Sequence, residues 1–147
     1  MKHVNCLMVV VLTITVSQLS ACGRRSDKTE SENEPVKVEP VAGTQVSSVT
    51  LTEEAAKRLD IQQVLVRDAQ VRGTLRRVIP YAAVLYDPDG ATWAFTNPQP
   101  LFFLRQPIKV DYIEGDLAVL LEGPSSGTAV VTVGAAELFG AEIGVGE

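Results

Sequence analysis

The sequence predicts a mainly β fold: one small antiparallel β domain over residues 49–147, with one short helix near residues 53–60. Two observations support this. Short runs rich in Val, Ile, Thr and aromatic residues recur along this part of the chain. Clusters of Gly, Pro, Asp and Ser separate the runs, as they do between strands joined by tight turns. About seven short strands fit into the domain on this pattern.

The first predicted element is the helix. Thr52 is a favourable N-cap, and the acidic Glu53 and Glu54 follow at the positive end of the helix dipole. Helical spacing turns one set of apolar residues towards the core: Ala55, Ala56 and Leu59.

Strands are predicted over residues 61–66 and 71–79, with the polar residues 67–70 as the turn between them. A clearer hairpin follows, in which residues 82–86 and 91–96 flank Asp-Pro-Asp-Gly at 87–90. These four residues suit a type I turn, because Gly90 tolerates a positive φ.

A second hairpin is predicted from the strand-like residues 101–113, the acidic Gly turn at 114–116 and the returning strand 117–121. Residues 123–127 read as a Gly-containing loop, and residues 128–133 as a last strand. The small-residue segment 134–140 closes the domain.

The N-terminus has the layout of a secretory signal peptide over residues 1–21. A charged start is followed by an apolar run at residues 4–16, which is about a dozen residues where a membrane span needs roughly 20. Leu19-Ser20-Ala21-Cys22 resembles the lipobox of bacterial lipoproteins. The resemblance implies cleavage between Ala21 and Cys22, attachment of diacylglycerol to the Cys22 thiol, and a lipid-anchored protein in the cell envelope that faces the periplasm or the cell exterior.

Residues 22–48 combine the lipidated cysteine with a segment rich in Pro, Ser and charged residues, so a flexible tether is expected there. Cleavage would remove the single histidine, His3, and one of the two cysteines, Cys6. A disulfide framework and histidine-based catalysis are therefore not expected. The net charge of −5 disfavours binding to nucleic acid. We expect a non-enzymatic protein without a cofactor or a bound metal.

Several segments, in order, resemble the HlyD-like periplasmic adaptors (membrane fusion proteins) of RND-type efflux pumps, and specifically their membrane-proximal domain. The proline-containing strand 78–84 leads into the hairpin at 87–96, the apolar and basic strand 103–110 follows, and residues 127–136 match the ending of that domain. Residues 49–61 resemble the entry segment. The β-barrel, lipoyl-like and helical-hairpin domains of a full adaptor are missing, because only a few residues separate Val71 from Val78.

Three groups of residues are candidate sites. Arg72, Arg76 and Arg77 are candidate contacts to anionic headgroups or an acidic partner; the alternative is solvated strand charge. Strand alternation predicts that Arg76 shares a face with Arg72 and that Arg77 points to the opposite face. One set of acids offers oxygen ligands for a weakly held cation: Asp87, Asp89, Asp111, Glu114 and Asp116. One apolar set is either a docking patch or core: Trp93, Phe95, Leu101, Phe102 and Phe103. Ser125 and Ser126 lack a histidine partner, so a hydrolase is disfavoured.

Together these features predict a membrane-anchored lipoprotein that docks on an RND-type transporter or a full-length adaptor. The alternatives are a free-standing ligand- or cation-binding lipoprotein and a truncated adaptor remnant.

Overall fold

The computed structural model describes residues 34–144, and it confirms the mainly β fold class. The strands are β1 Val36–Pro40, β2 Ser47–Leu51, β3 Gln62–Leu65, β4 Arg67–Val71, β5 Thr74–Pro80, β6 Leu85–Tyr86, β7 Thr92–Gln99, β8 Phe102–Pro107, β9 Lys109–Glu114, β10 Leu117–Glu122 and β11 Ala129–Val133. The helices are α1 Glu53–Arg58 and α2 Ala135–Glu142, and Tyr81–Ala83 form a 3-10 turn.

These strands form two antiparallel sheets. The larger sheet has the order β1-β2-β8-β7-β11-β3, with β6 also pairing with β7, and the smaller sheet has the order β4-β5-β10-β9. The chain passes between the two sheets four times, and at two of these crossings a single residue separates the strands. Val66 separates β3 from β4 and Ile108 separates β8 from β9, and both residues are buried.

The core has two main parts and one smaller one. Between the sheets lies an apolar cluster of Val66, Ile79, Ala83, Ala94, Ile108, Ala118, Leu120 and Val130. On the other face of the larger sheet, a second cluster includes residues of both helices: Val49, Leu51, Ala55, Phe95, Phe103, Val131, Ala135 and Leu138. The outer face of the smaller sheet buries only Val71, Val78 and Val119.

Helix α1 agrees with its prediction. The Thr52 Oγ1 accepts a hydrogen bond from the Ala55 amide at 3.2 Å, which satisfies one of the amides that a helix N-terminus leaves free. Ala55 is buried against the core. The predicted turn at residues 87–90 is also present, with φ of 82° at Gly90.

The predicted boundary of the tether is wrong within residues 36–48. Strand β1 pairs with β2 in antiparallel register, from Val36 opposite Leu51 to Pro40 opposite Ser47. Most of β1 is exposed, so its composition is polar and resembles that of a disordered segment. Backbone hydrogen bonds to β2 hold it in the sheet nonetheless, so the folded domain begins before residue 49.

The predicted turn at residues 67–70 is wrong as well, because these residues belong to β4. The turn lies at Arg72 and Gly73, whose φ angles are 51° and 80°. Positive φ at both central residues, between the paired Val71 and Thr74, is the geometry of a two-residue type I′ hairpin turn. The polar residues before this turn are exposed residues of β4, which is an edge strand.

Two further boundaries differ from the predictions. The predicted strand 101–113 is divided into β8 and β9 at Ile108, because the chain changes sheets there. The small-residue segment after residue 134 forms helix α2, whose Leu138 is fully buried. Gly134, with φ of 84°, ends the preceding extended segment and starts the helix.

Candidate functional site

The predicted lipidation site and cleavage site, Cys22 and Ala21, lie outside residues 34–144. Between those limits, neither helix has the length and apolar composition needed to cross a bilayer. Membrane anchoring through Cys22 therefore stays a prediction.

Arg72 and Arg76 share the outer face of the smaller sheet, as predicted, but each is paired with a carboxylate. The Arg76 Nη2 lies 2.7 Å from Asp111 Oδ2. The Arg72 Nε donates to Glu114 Oε2 at 2.9 Å, and its guanidinium stacks 4.4 Å from the Tyr112 ring centre. The hydrogen bond to Glu114 raises the pKa of Arg72.

A β-bulge positions Asp111 for its ion pair. Val119 pairs with Tyr112 and Leu120 pairs with Val110, so Asp111 is an additional residue on β9. A bulge of this kind re-aims a side chain that strict alternation would direct to the other face. The carboxylate thereby reaches the face that carries Arg76.

Arg77 points to the opposite face from Arg76, as alternation along β5 requires. Its Nη1 donates to the Gly123 carbonyl at 3.2 Å. Its buried Nε has no hydrogen-bond partner among the described residues. The three arginines therefore do not form one cluster, and their contact with headgroups or a partner stays a prediction.

The candidate cation ligands are largely engaged in protein contacts. Asp87 accepts hydrogen bonds from the amides of Asp89 and Ala91, at 3.0 and 2.8 Å, and from Trp93 Nε1 at 2.9 Å. The bond from Trp93 is the main reason why the pKa of Asp87 is lowered. Within residues 34–144, no three Cys, His, Asp or Glu side chains are grouped so that they could hold a metal ion.

Of the two serines, Ser126 forms a hydrogen bond within the protein. Ser126 Oγ donates to Asp68 Oδ2 at 2.8 Å. Lys109, an exposed lysine of the domain, lies 3.6 Å from Glu122 Oε1. The absence of catalysis at these serines stays a prediction.

The aromatic set divides between core and a buried polar contact. Phe95 and Phe103 are fully buried, whereas the Trp93 ring lies 4.2 Å from the guanidinium carbon of Arg105. Arg105 forms a 2.8 Å ion pair with Glu142 of α2, with side chains only 10% and 3% exposed. Glu142 also accepts a bond from the Ser47 amide at 3.1 Å.

Sequence reasoning missed this ion pair. Arg105 and Glu142 are 37 residues apart, and neither has a local pattern that marks it as buried. The Arg105 Nη2 donates to Glu142 Oε1 at 3.1 Å, whereas the buried Arg105 Nε and Glu142 Oε2 have no hydrogen-bond partner among the described residues. The opposite charges and the aromatic ring therefore compensate the burial only in part, and the contact holds α2 on the larger sheet.

The free edges of the two sheets differ in their protection. Exposed edge strands can pair with other chains, and natural proteins commonly block them with charges or proline. Three of the four terminal strands carry such residues: Lys37, Glu39 and Pro40 on β1, Arg67 and Asp68 on β4, and Lys109, Asp111 and Glu114 on β9. The fourth, β3, reads Gln-Gln-Val-Leu and has neither. Strand β6, which pairs only with β7 and lies outside this order, is uncharged as well, but its length of two residues limits pairing.

Strand β3 is also accessible along its whole length. All four residues are exposed, including Val64 at 41% and Leu65 at 58%. Val66 directs both its backbone groups to the β11 side, since its amide donates to the Thr128 carbonyl and its carbonyl accepts from Gly127. Alternation along an antiparallel strand then directs the amides and carbonyls of Gln63 and Leu65 outward.

The candidate functional site is therefore the β3 edge: the four side chains of residues 62–65 and the outward backbone groups of Gln63 and Leu65. The sequence signal for it was the uncharged run within the predicted strand 61–66. Only the sheet order shows that this run lies at an edge. No protein-family model, curated protein or solved structure matches the chain.

Proposed function

We propose that this protein is a non-enzymatic, lipid-anchored docking module, which binds an extended strand of another polypeptide chain along the β3 edge. The observation that carries the proposal is the contrast between β3 and the three protected terminal strands. The partners in view are an RND-type transporter or an adaptor-like chain, which includes a second copy of this protein, in keeping with the resemblance of the sequence to adaptor membrane-proximal domains.

Strand addition suits the chemistry of this edge. An incoming strand would hydrogen-bond to the outward backbone groups of Gln63 and Leu65, while Val64 and Leu65 would offer apolar contacts on the two faces of the sheet. Backbone pairing supplies affinity, and the alternate side chains supply selectivity. No reacting group is required.

The lipid anchor would supply the concentration that a short edge needs. Residues 23–35, between Cys22 and β1, span at most about 45 Å when extended. A domain held this close to the bilayer meets membrane partners at a high effective concentration, so weak pairing is sufficient for assembly.

The proposal is tested by chemical cross-linking of the full chain in native membranes, followed by affinity purification and mass spectrometry. We expect Val64→Lys to abolish recovery of the partner, because a lysine on the edge disfavours strand pairing. Cys22→Ser should also reduce recovery through loss of the anchor. Leu75→Lys is the matched control, since Leu75 is 62% exposed but lies on the inner strand β5.

Equal recovery from Val64→Lys and wild type would show that docking does not use β3. Recovery of no partner from well-expressed wild type would refute docking and favour a free-standing ligand- or cation-binding lipoprotein or an adaptor remnant. Matched melting temperatures for the two lysine variants exclude misfolding as the cause of a loss.

A further inference from the structure

We infer that the strand that pairs with β3 is the β3 strand of a second copy of this chain, in an antiparallel pair centred on Val64. The inference rests on the proposed docking at this edge and names its partner. It follows from the positions of the outward backbone groups, the lack of charge on the strand, and the place where the chain enters the domain.

The backbone groups of β3 are self-complementary. Gln63 and Leu65 direct their amides and carbonyls outward, on either side of Val64, as the Val66 bonds to Gly127 and Thr128 require. A two-fold axis through Val64 sets Gln63 of each copy opposite Leu65 of the other copy, which gives two equivalent pairs. Each such pair exchanges two backbone hydrogen bonds, so all the outward groups between Gln63 and Leu65 are satisfied.

This register also keeps the faces of the two sheets aligned. Directly opposed residues must lie on the same face, and Gln63 and Leu65 do so because they are two residues apart. Val64 meets Val64 of the second copy in the central pair, where a β-branched contact is favourable. A shift of the register by one residue would oppose side chains from different faces, which excludes it.

Charge permits the same pairing. Residues 62–65 are uncharged, so no like charges are opposed within the paired segment. The segment is short because Val66 bends the chain into the second sheet, and because Asp60, with φ of 48°, leaves the extended conformation at the other end.

The position of the anchored end fits two copies on one membrane. The described domain begins at Glu34, beside β1, and β1 and β3 are the opposite terminal strands of one sheet. The two anchored ends therefore lie at the outer ends of a continuous two-copy sheet, away from the pairing site. Four residues a strand make a small interface, which suits a dimer that forms where lipid confines both copies.

The test is disulfide trapping in the full chain in native membranes, read on non-reducing gels. A central, non-hydrogen-bonded pair has a Cα separation of about 4.5 Å, which is within disulfide range. Val64→Cys should therefore yield reducible dimer, on the order of tenfold more than Leu75→Cys, an exposed position off the edge.

The register provides a second, independent readout. Gln63→Cys and Leu65→Cys should each give little dimer alone, whereas co-expression of differently tagged Gln63→Cys and Leu65→Cys chains should give the mixed dimer. Dimer from Gln63→Cys alone that equals the mixed yield would overturn the Val64-centred pairing. So would equal yields from Val64→Cys and Leu75→Cys, or no dimer from a stable Val64→Cys protein.

A charge exchange separates this inference from docking in general. Val64→Lys and Val64→Glu each oppose like charges across the two-fold axis, and co-expression of the two variants should restore dimer captured by a cross-linker. If no disulfide-linked dimer of Val64→Cys forms, and a chemical cross-linker captures only a different protein on this variant, the inference of a second copy fails. Docking at β3 then still stands. If neither product forms, both proposals fail.

Discussion

At the scale of single residues, Asp87 shows how a turn carboxylate links local structure to pH. It accepts two backbone bonds and one from the Trp93 indole, and its pKa is lowered. A carboxylate with a lowered folded-state pKa stabilises the fold above its unfolded pKa, and this contribution is lost as the pH falls through the folded value.

We therefore expect acid to weaken the Asp87–Trp93 contact below about pH 4. Trp93 is the only tryptophan in the chain, so its fluorescence reports the contact directly during an acid titration. Asp87→Asn should remove the acid-dependent step in the Trp93 signal. A step of unchanged size and midpoint in Asp87→Asn would assign the titration to another group.

The buried pair of Arg105 and Glu142 gives a second prediction at this scale. Glu142→Leu leaves the guanidinium buried without its carboxylate, so it should lower the free energy of unfolding by about 3 kcal/mol or more. The double variant Arg105→Met/Glu142→Leu should recover most of this loss, because no uncompensated charge remains. Urea unfolding of the Cys22→Ser chain measures both changes in the free energy of unfolding.

The exposed pair of Arg72 and Glu114 is the control for the buried pair. Glu114→Leu should have a much smaller effect, since solvent screens exposed ion pairs and hydrates the arginine that remains. Equal losses for Glu142→Leu and Glu114→Leu would contradict the importance of burial.

At the scale of elements, Gly134 determines how α2 follows β11. Its φ is 84°, and a Cβ built there would overlap Ile61 Cδ1. Gly90 has a similar φ of 82° with open space around it. Gly90→Ala should thus lower the free energy of unfolding by about 1 kcal/mol, because alanine is strained in the left-handed conformation. Gly134→Ala should lower it by about 1–3 kcal/mol more, because the added Cβ also overpacks the site.

Removing the contacting methyl group tests the explanation. Ile61→Val lacks Cδ1, so the double variant Gly134→Ala/Ile61→Val should lose less stability than the sum of the two single variants in thermal unfolding. Strict additivity would mean that the steric contact with Ile61 does not cause the loss.

At the scale of the whole molecule, the fold depends on the four places where the chain changes sheets. Ile108 lies at one of them and packs in the cluster between the sheets. Ile108→Ala should lower the free energy of unfolding by about 2–5 kcal/mol. The substitution leaves a cavity between the two sheets, and the sheets cannot easily move together to fill it. Leu75→Ala, at an exposed position, should change the free energy of unfolding by no more than about 0.5 kcal/mol. Chemical denaturation compares them.

The same architecture explains why the candidate site is an edge. Two open sheets present four terminal strands, and three of them carry charges or proline. The fourth is complementary in its backbone groups to a second copy of itself. An edge left open in a protein that protects its other edges is best understood as a binding surface.

The amino-acid sequence was sufficient to predict several features that depend on neighbouring residues. The capped helix at Thr52, the Asp87–Gly90 turn and the mainly β class follow from local chemistry and period-2 patterning, and all are present. It was not sufficient for β1 and β4, which are polar and exposed and are strands only because a distant partner pairs with them.

Tertiary structure alone decided the buried Arg105–Glu142 pair and the edge position of β3. Each depends on contacts between residues far apart in the chain. Propensity and periodicity act over a few residues, whereas sheet order is set by which apolar faces can be buried together. The sequence by itself therefore determined what the segments of this protein are, and packing decided which of them remained free to bind.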